Sequence, residues 1–291
     1  MMALDQSKFG AMSETDNAGQ IAYWNADAGE NWAALQEHLD AQLQAHGDRA
    51  MQALAPAQGE RILDVGCGAG QTSLALGQAV GEDGAVVGLD VSRPLLQVAR
   101  RRRATAGAAN VSFLETDAQI HAFTPASFDA LFSRFGVMFF ADPPAAFANI
   151  RRALRPGARL AFVCWRTPAE NPCLALAFAA AAAQLPPAPP PMPGAPGPFA
   201  FADQDRVRDI LASAGFSDIQ LIAFDRKIGG GDLEQTVRVS LTIGPLGRAL
   251  LENPDKRPLV IEPVREALRP HVDGDGIVRL DSASWIVTAR A

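Results

Sequence analysis

The stretch Asp64-Val65-Gly66-Cys67-Gly68-Ala69-Gly70 decides the fold of this chain. It follows a short apolar segment at 61–65, which has the composition of a buried strand, and precedes a helical run at 71–80. Three glycines at alternate positions let the backbone turn sharply and approach a ligand without a Cβ atom in the way. The first turn of the following helix presents unpaired N–H groups and a positive dipole end. The stretch therefore predicts a ligand-binding turn between a strand and a helix.

Strands and helices alternate on both sides of this turn. Further strands are predicted at 85–90, 111–115, 128–133 and 159–165, and helices at 94–102 and 145–154. A helix at 203–213, a strand at 219–224, a mostly helical segment from 229 to 268 and a last strand at 283–289 complete the pattern. This alternation is typical of βαβ units in a mostly parallel sheet, and the right-handed crossover rule makes the sheet doubly wound.

The residues outside this alternating pattern are predicted to form additional segments of the same single domain. Residues 1–20 are polar and are expected to form a flexible arm. Residues 21–56 have apolar side chains at helical spacing and are expected to form a cap, broken around Gly29 and ending in a short helix at 50–54. The cofactor-binding core is placed at 57–165, a Pro-rich insert at 166–202 and C-terminal helices and strands at 203–291. Residues 185–198 hold 8 of the 21 prolines, which we interpret as a surface linker rather than a ligand for a partner protein.

Composition narrows the class of protein. The 291 residues carry 26 Lys and Arg against 32 Asp and Glu, a net charge of −6, and 48% are hydrophobic. A disordered chain is excluded, and a protein that binds nucleic acid by neutralising phosphates is disfavoured. Three cysteines without CxxC spacing predict a reducing compartment and no disulfide framework, and no metal site is predicted. With no segment long enough to span a bilayer and no signal peptide, the expected location is the cytoplasm.

The spacing around the glycines restricts the ligand. The dinucleotide pattern GxGxxG fails in both registers, because its third position falls on Gln71 or Ser73, and no Lys-Ser or Lys-Thr pair completes a phosphate loop. Asp90 stands twenty residues after Gly70, at the end of the next strand. A carboxylate there can accept two hydrogen bonds from a ribose diol and repels a 2′-phosphate. The ligand should therefore contain a ribose and need no pyrophosphate.

Five motifs occur in one order along the chain. They are ILDVGCGAGQT at 62–72, GLDVS at 88–92, LETDAQ at 114–119, SFDALFSRFGVMFF at 127–140 and LRPGARLAFVCW at 154–165. Together they resemble the class I S-adenosylmethionine-dependent methyltransferases, most closely the ubiquinone/menaquinone-biosynthesis branch. Ala158 departs from the pattern, which has a second glycine there. The resemblance implies a Rossmann-like α/β fold, with a doubly wound, seven-stranded, mostly parallel sheet whose last strand is antiparallel, and S-adenosylmethionine as cofactor.

The resemblance also implies cofactor-binding residues. They are Gly66, Gly68, Gly70 and Asp64 around the methionine and ribose portions, Ser133 at the methionine ammonium, Asp90 at the ribose hydroxyls, Val91, Asp117 and Ala118 at the adenine, and Tyr23 and Trp32 closing over the cofactor. Simple core packing is an equally good interpretation for Trp32. Arg134 either anchors a carboxylate or pairs with an acid of the cap.

The acceptor of the methyl group is expected to be a small, flat or lipophilic metabolite. This expectation comes from the apolar residues Phe135, Met138 and Trp165, together with Phe199 and Phe201 in the insert. The acceptor atom stays open between oxygen, nitrogen and carbon, and no catalytic base is predicted, because the four histidines are scattered. Two other functions remain open: a nicotinamide-dependent oxidoreductase, and a non-catalytic cofactor-binding module that acts through a protein partner.

Overall fold

Seven strands form one sheet in the computed structural model, which describes residues 17–187, 192 and 194–291. They are β1 (Arg61–Val65), β2 (Ala85–Asp90), β3 (Val111–Glu115), β4 (Phe128–Arg134), β5 (Leu154–Trp165), β6 (Ser217–Gly229) and β7 (Arg279–Arg290). Their spatial order is β3-β2-β1-β4-β5-β7-β6, and β7 runs antiparallel to both of its neighbours. The first five strands pair in parallel. The predicted seven-stranded fold, with its antiparallel last strand, is confirmed.

Helices pack against this sheet. They are α1 (Ala18–Trp24), α2 (Asp27–Ala34), α3 (Gln36–Leu54), α4 (Gln71–Val80), α5 (Arg93–Ala106), α6 (Pro143–Ala153), α7 (Pro172–Ala181), α8 (Gln204–Ser213), α9 (Leu233–Ser240), α10 (Gly244–Glu252) and α11 (Arg257–Leu268). Their positions agree with the predicted helices of the core. Within the described residues, no helix combines the length and the apolar character that crossing a membrane requires.

The cap differs from its prediction in two respects. The helical breaks fall at Asn25–Ala26 and at Leu35, and residues 50–54 are the last turn of α3 rather than a separate helix. Gly29 lies inside α2, where an added Cβ atom would stand 2.0 Å from the backbone oxygen of Trp24 and 2.9 Å from the hydroxyl of Ser92. The glycine therefore permits close packing of α2 on the end of α1 and on the residue before α5, and it does not break the helix.

The predicted arm at 1–20 is wrong in its last residues. Asn17 is buried, its amide nitrogen donates to Asp117 at 2.9 Å, and its amide oxygen accepts from the backbone of Ala141 at 2.7 Å. These two hydrogen bonds fix the start of α1 to the core, so residues 17–20 belong to the cap. Residues 1–16 of the arm, and residues 188–191 and 193 of the Pro-rich insert, lie outside the described residues.

Two hydrophobic clusters build the interior. The larger one fills the space between the sheet and its helices, and includes the fully buried rings of Phe132, Phe147 and Phe162. The smaller one joins α7 to α9, α10, α11 and the start of β7. The early part of the insert is thus a packed helix. It forms a helical unit with the C-terminal segment, and this unit lies beside the end of the sheet where the predicted site is located.

Candidate active site

A cavity of about 270 Å³ opens at the carboxyl ends of β1, β2 and β4. The cap, α7, the segment after β6 and the helices α9 and α10 complete its wall. The predicted site residues that lie on this wall are Trp32, Gly66, Gly68, Asp90, Val91, Asp117, Ala118, Phe135, Met138 and Trp165. Consecutive parallel strands end at the same edge of a sheet, which is why residues distant in the chain meet here.

The glycine turn forms one side of the cavity. Gly66 and Gly68 both have positive φ angles, of 68° and 53°. A Cβ atom on Gly66 would stand 2.6 Å from the Cα atom of Gly136, so the turn lies directly against the loop after β4. A Cβ atom on Gly68 would meet no atom within 4 Å, because that position faces open space. The turn therefore brings bare backbone to the edge of the cavity.

Asp90 holds this turn in place. One of its carboxylate oxygens accepts from the backbone N–H of Gly68 at 2.7 Å, and the other accepts from that of Ser92 at 2.8 Å. Burial raises the pKa of Asp90, and these backbone hydrogen bonds oppose the shift. Each oxygen keeps lone-pair capacity for one more donor. The carboxylate is thus fixed at the cavity wall with two acceptor sites for hydroxyl groups.

Asp117 and Ala118 lie on the loop after β3. A single oxygen of Asp117, Oδ1, accepts both from Asn17 and from the backbone N–H of Gln119, at 2.9 and 2.8 Å. Its other oxygen, Oδ2, forms no hydrogen bond within the part of the chain that the structure describes. The backbone oxygen of Ala118 accepts from Asn149 at 3.0 Å, which steadies the loop. The loop therefore offers a fixed carboxylate oxygen to a ligand amino group.

Comparison with known proteins identifies the domain around this cavity. Residues 62–157 match the family model described as a methyltransferase domain. Nocamycin O-methyltransferase of Saccharothrix syringae is 28% identical over 82% of this chain and 88% of that protein. A demethylmenaquinone methyltransferase of Clavibacter sepedonicus is 38% identical over 40% of this chain and 46% of that protein. The chain spans about half of the length of several curated relatives that it matches.

Residues 62–157 are a class I S-adenosylmethionine-dependent methyltransferase domain. The predicted family and cofactor are confirmed for this domain, and the similarity to demethylmenaquinone methyltransferases agrees with the predicted branch. Among solved structures, the YcgJ protein of Bacillus subtilis has the same fold, with a TM-score of 0.58 at 18% identity over 84% of this chain and 98% of that one.

The polar groups on the wall of the methyltransferase cavity suit S-adenosylmethionine. Three carboxylates, those of Asp40, Asp90 and Asp117, lie on the wall with one guanidinium, that of Arg134. This excess of negative charge suits a cationic sulfonium. The amide oxygen of Gln36 is buried on the same wall and has no partner among the described residues. A buried polar atom without a partner is costly, so it indicates a polar ligand.

Two predicted cofactor residues, Gly70 and Tyr23, do not reach the methyltransferase cavity. Gly70 begins α4 with a φ angle of 80°, and a Cβ atom there would stand 2.7 Å from the ring of Phe113. It therefore serves the packing of the turn against β3. Tyr23 faces α10, with the guanidinium of Arg248 5.2 Å from its ring centroid. Its neighbour Trp24, one helical position on, lines the cavity in its place.

Two further predicted residues, Asp64 and Ser133, lie behind the wall. Asp64 is fully buried and accepts hydrogen bonds from the hydroxyls of Thr72 at 2.8 Å and Ser73 at 2.6 Å. Burial raises the pKa of Asp64 to about 6. Ser133 donates to the backbone oxygen of Val65 at 2.7 Å and so ties β4 to β1. Both residues support the glycine turn from below, and Thr72 connects Asp64 to the cavity.

Of the two interpretations of Arg134, the structure shows the ion pair with an acid of the cap. Its guanidinium lies 2.9 Å from the carboxylate of Asp40 on α3, and it also donates to Gln71. The other oxygen of Asp40 lies 2.7 Å from Arg102, which in turn donates to the backbone oxygen of Ala69 at 3.1 Å. This network attaches the cap to the glycine turn.

The far half of the cavity is aromatic. Phe135 and Trp165 stack with ring centroids 4.0 Å apart and an angle of 14° between their planes. Phe135 has a φ angle of 60°, which is strained for a residue with a side chain and is typical of functional positions. We call this region, with Met138 and the facing surfaces of α3, α7, α9 and α10, the aromatic half. The region around Gly66, Gly68, Asp90 and Asp117 is the glycine half.

Two aromatic residues of the insert are wrongly placed by the sequence prediction. Phe201 is fully buried in the larger cluster against Phe147 and Phe162, and Phe199 packs against that cluster. Neither is on the cavity wall. The insert instead contributes side chains from α7 and the end of the Pro-rich segment: Cys173, Leu174, Ala177 and Pro198.

Sequence reasoning missed the polar side chains that the cap and α9 add to the wall. They are Asn17, Gln20, Gln36, His38, Asp40 and Gln42 from the cap, and Thr236 and Ser240 from α9. Helical spacing does signal that α3 is amphipathic. The polar residues of α3 that reach the cavity lie at the border with its apolar face. Helical spacing alone does not identify them.

Proposed function

We propose that this protein transfers the methyl group of S-adenosylmethionine to a small, largely apolar or aromatic metabolite by in-line displacement. The observation that carries the proposal is a single cavity that joins the glycine half to the aromatic half. The sulfonium is already activated, so the protein contributes chiefly by holding donor and acceptor close and aligned. A shared, largely apolar cavity supports that role.

In the glycine half, the assigned roles follow the contacts. Asp90 accepts from the ribose hydroxyls, and Oδ2 of Asp117 accepts from the adenine amino group. The backbone of Gly66 and Gly68 borders the methionine portion, and the apolar neighbours of Asp90 and Asp117, Val91 and Ala118, border the adenine. Trp32 covers the cofactor together with Trp24, whose ring meets it edge-on at 5.6 Å. The carboxylates of the wall favour the positive sulfonium.

The aromatic half takes the acceptor. Phe135, Trp165 and Met138 provide a flat apolar surface, which suits a ring or a lipophilic group. Two similar proteins carry names of small-molecule methyltransferases, those of nocamycin and demethylmenaquinone, which supports an acceptor of this kind. We assign no nucleic-acid substrate, in agreement with the net charge of −6, and we place the reaction in the cytoplasm.

Asp90→Asn tests the proposed cofactor site. We expect the dissociation constant for S-adenosylmethionine, measured by calorimetry, to rise about 10- to 100-fold, because hydrogen bonds to a charged acceptor contribute roughly 1.5–3 kcal/mol. Asp129→Asn is the matched control. Asp129 lies near the opposite end of the sheet, accepts from the backbone of Arg61 at 2.9 Å and is absent from the cavity wall, so affinity should not change.

Other outcomes would contradict this proposal. Undiminished affinity in Asp90→Asn would remove Asp90 from the cofactor site. Binding of a nicotinamide dinucleotide in place of S-adenosylmethionine would favour the oxidoreductase. Tight binding of S-adenosylmethionine with no methylation across aromatic and lipophilic small molecules would favour the non-catalytic module.

A further inference from the structure

His38 is an unengaged histidine on the cavity wall. It lies on α3, half-buried, and neither of its ring nitrogens forms a hydrogen bond within the residues that the structure describes. Its ring packs beside the backbone of Gly230, just after β6. Gln42 follows one helical turn later on the same face and also lines the cavity. A polar edge therefore faces the aromatic half from α3.

Each of the three carboxylates of the wall already accepts from protein groups through at least one of its oxygens. Asp40 is paired with Arg102 and Arg134. Asp90 is held by two backbone N–H groups, and Asp117 by Asn17 and a backbone N–H group. These carboxylates belong to the cap network and to the glycine half, so they are unsuited to receive a proton from an acceptor in the aromatic half.

The two cysteines of the wall are unsuited for a different reason. Burial raises the pKa of Cys67, and it raises the pKa of Cys173 to about 12. Both thiols are therefore protonated at neutral pH and cannot take up another proton. Among the described titratable groups of the wall outside the cap network and the glycine half, His38 is the one able to accept a proton.

The remaining histidines have other surroundings. His46 is fully buried and both of its nitrogens are bonded to serine hydroxyls. His121 contacts the hydroxyl of Thr116 at 3.2 Å and, like His271, is absent from the cavity wall. For His38, burial lowers the pKa, so its ring is neutral at physiological pH and offers a free lone pair.

We propose that His38 is the base that accepts the proton of a hydroxyl group on the acceptor, which makes the substrate a phenol or an enol and the reaction an O-methylation. This inference rests on the proposed function. An oxygen nucleophile gains most from losing its proton during attack, whereas an amine attacks through a lone pair that is already available. A flat hydroxylated ring fits the stacked Phe135 and Trp165, with its hydroxyl toward α3.

The proposed step balances in atoms and charge. The acceptor O–H bond breaks and its proton goes to a ring nitrogen of His38, while an oxygen electron pair forms the new bond to the methyl carbon. The carbon–sulfur bond breaks with its electron pair kept by sulfur, and S-adenosylhomocysteine leaves. The imidazolium of His38 then returns its proton to solvent.

The test compares two phenols of different acidity. The probes are 2-naphthol, which is un-ionised at neutral pH, and 1-nitro-2-naphthol, which is ionised there. His38→Gln should lower kcat for 2-naphthol about 100-fold or more, since a positioned base contributes roughly 10²–10⁴-fold. It should lower kcat for the nitro compound less than about 10-fold, because that probe needs no base. His271→Gln is the matched control and should leave both rates unchanged.

A binding measurement separates the base from a merely structural role. In NMR spectra of the complex with S-adenosylhomocysteine, the ring resonance that disappears in His38→Gln is assigned to His38. Addition of 2-naphthol should shift this resonance. The glutamine amide can still accept a hydrogen bond, so 2-naphthol should bind the variant within about threefold of the unaltered protein.

Three results would overturn the inference: equal losses of kcat for the two phenols, no loss for either, or no methylation of either by unaltered protein that binds S-adenosylmethionine. Failure to bind S-adenosylmethionine at all is measured separately and would contradict the proposed function instead.

Discussion

A buried residue below the cavity lowers the stability of the fold while it holds the cavity wall in place. Asp64 is fully buried, and its Oδ1 atom has no hydrogen-bond partner among the described residues, while its other oxygen holds the hydroxyls of Thr72 and Ser73. Those hydroxyls sit in the first turn of α4, directly after the glycine turn. The buried carboxylate thus orients the helix start that borders the cofactor, and burying its charge lowers the stability of the fold.

Asp64→Asn should reveal this cost as a function of pH. The pKa of Asp64 is raised from 3.8 to about 6, so the native state binds its proton more tightly than the unfolded state does. The resulting loss of stability begins near pH 4 and is complete above about pH 6. The variant does not titrate, so its free energy of unfolding relative to the unaltered protein should rise by roughly 3 kcal/mol across that range. Urea unfolding at several pH values measures this, and parallel curves would contradict it.

At the scale of elements, α3 joins the cap to the far strands. His46 on α3 accepts or donates hydrogen bonds at 2.9 Å with Ser282 and with Ser284, both on β7. Its ring also meets those of Phe135 and Trp165 edge-on, with centroids 5.7 and 5.2 Å away. The helix that presents His38 to the cavity is therefore fixed to the strand beside the aromatic half.

His46→Gln should have the opposite pH dependence to Asp64→Asn. Burial first, and the nearby charge of Arg226 second, lower the pKa of His46 from 6.5 to about 4. The unfolded state then binds the proton more tightly, so the unaltered protein loses stability as the pH falls from about 6.5 to 4. Relative to the variant, that loss should reach roughly 3 kcal/mol. Thermal unfolding between pH 4 and 8 measures the difference, and a pH-independent difference would count against it.

Across the whole molecule, the cap closes the cavity through a few polar attachments. Asp40 bridges Arg102 on α5 and Arg134 at the end of β4, and Asn17 bridges the loops that follow β3 and β4. These contacts join segments that lie far apart in the chain. The sheet provides half of the site, and the docked cap provides the rest.

Asp40→Asn should loosen the cap without unfolding the sheet. Removing one charge from a partly buried ion-pair network is expected to cost about 1–3 kcal/mol and to weaken S-adenosylmethionine binding. Hydrogen exchange should accelerate in α1 and α2 and in the glycine turn, while β4 and β5 keep their protection. Asp48→Asn is the control, since Asp48 lies exposed on the same helix. Unchanged exchange in the cap of Asp40→Asn would show that other contacts hold it.

The core elements were predictable because their signals are local. Alternating apolar strands and glycine turns place β1, α4, β2 and β3 within a residue or two of their positions in the structure. The parallel arrangement then implies that Asp90, Val91, Asp117 and Ala118 meet at one edge, and all four line the cavity. Residues next to strand ends can be located once the order of strands is known.

The cap residues were not predictable in the same way. Tyr23 and Trp24 are neighbours on one helix, and only the docking of α1 decides which of them faces the cavity. The φ angle of 60° at Phe135 and its stacking on Trp165 likewise have no signal in the local sequence.

By itself, then, the sequence determined the fold class and which residues next to the strand ends line the cavity, because strand, turn and helix signals act over a few residues, and the order of its motifs indicated the family. The tertiary structure decided which cap residues enter the cavity, and it placed His38 on the same cavity wall as the aromatic stack. That choice depends on contacts such as His46 with Ser282, whose positions in the chain differ by 236. Such contacts form through the packing of whole faces, which leaves no local pattern in the sequence.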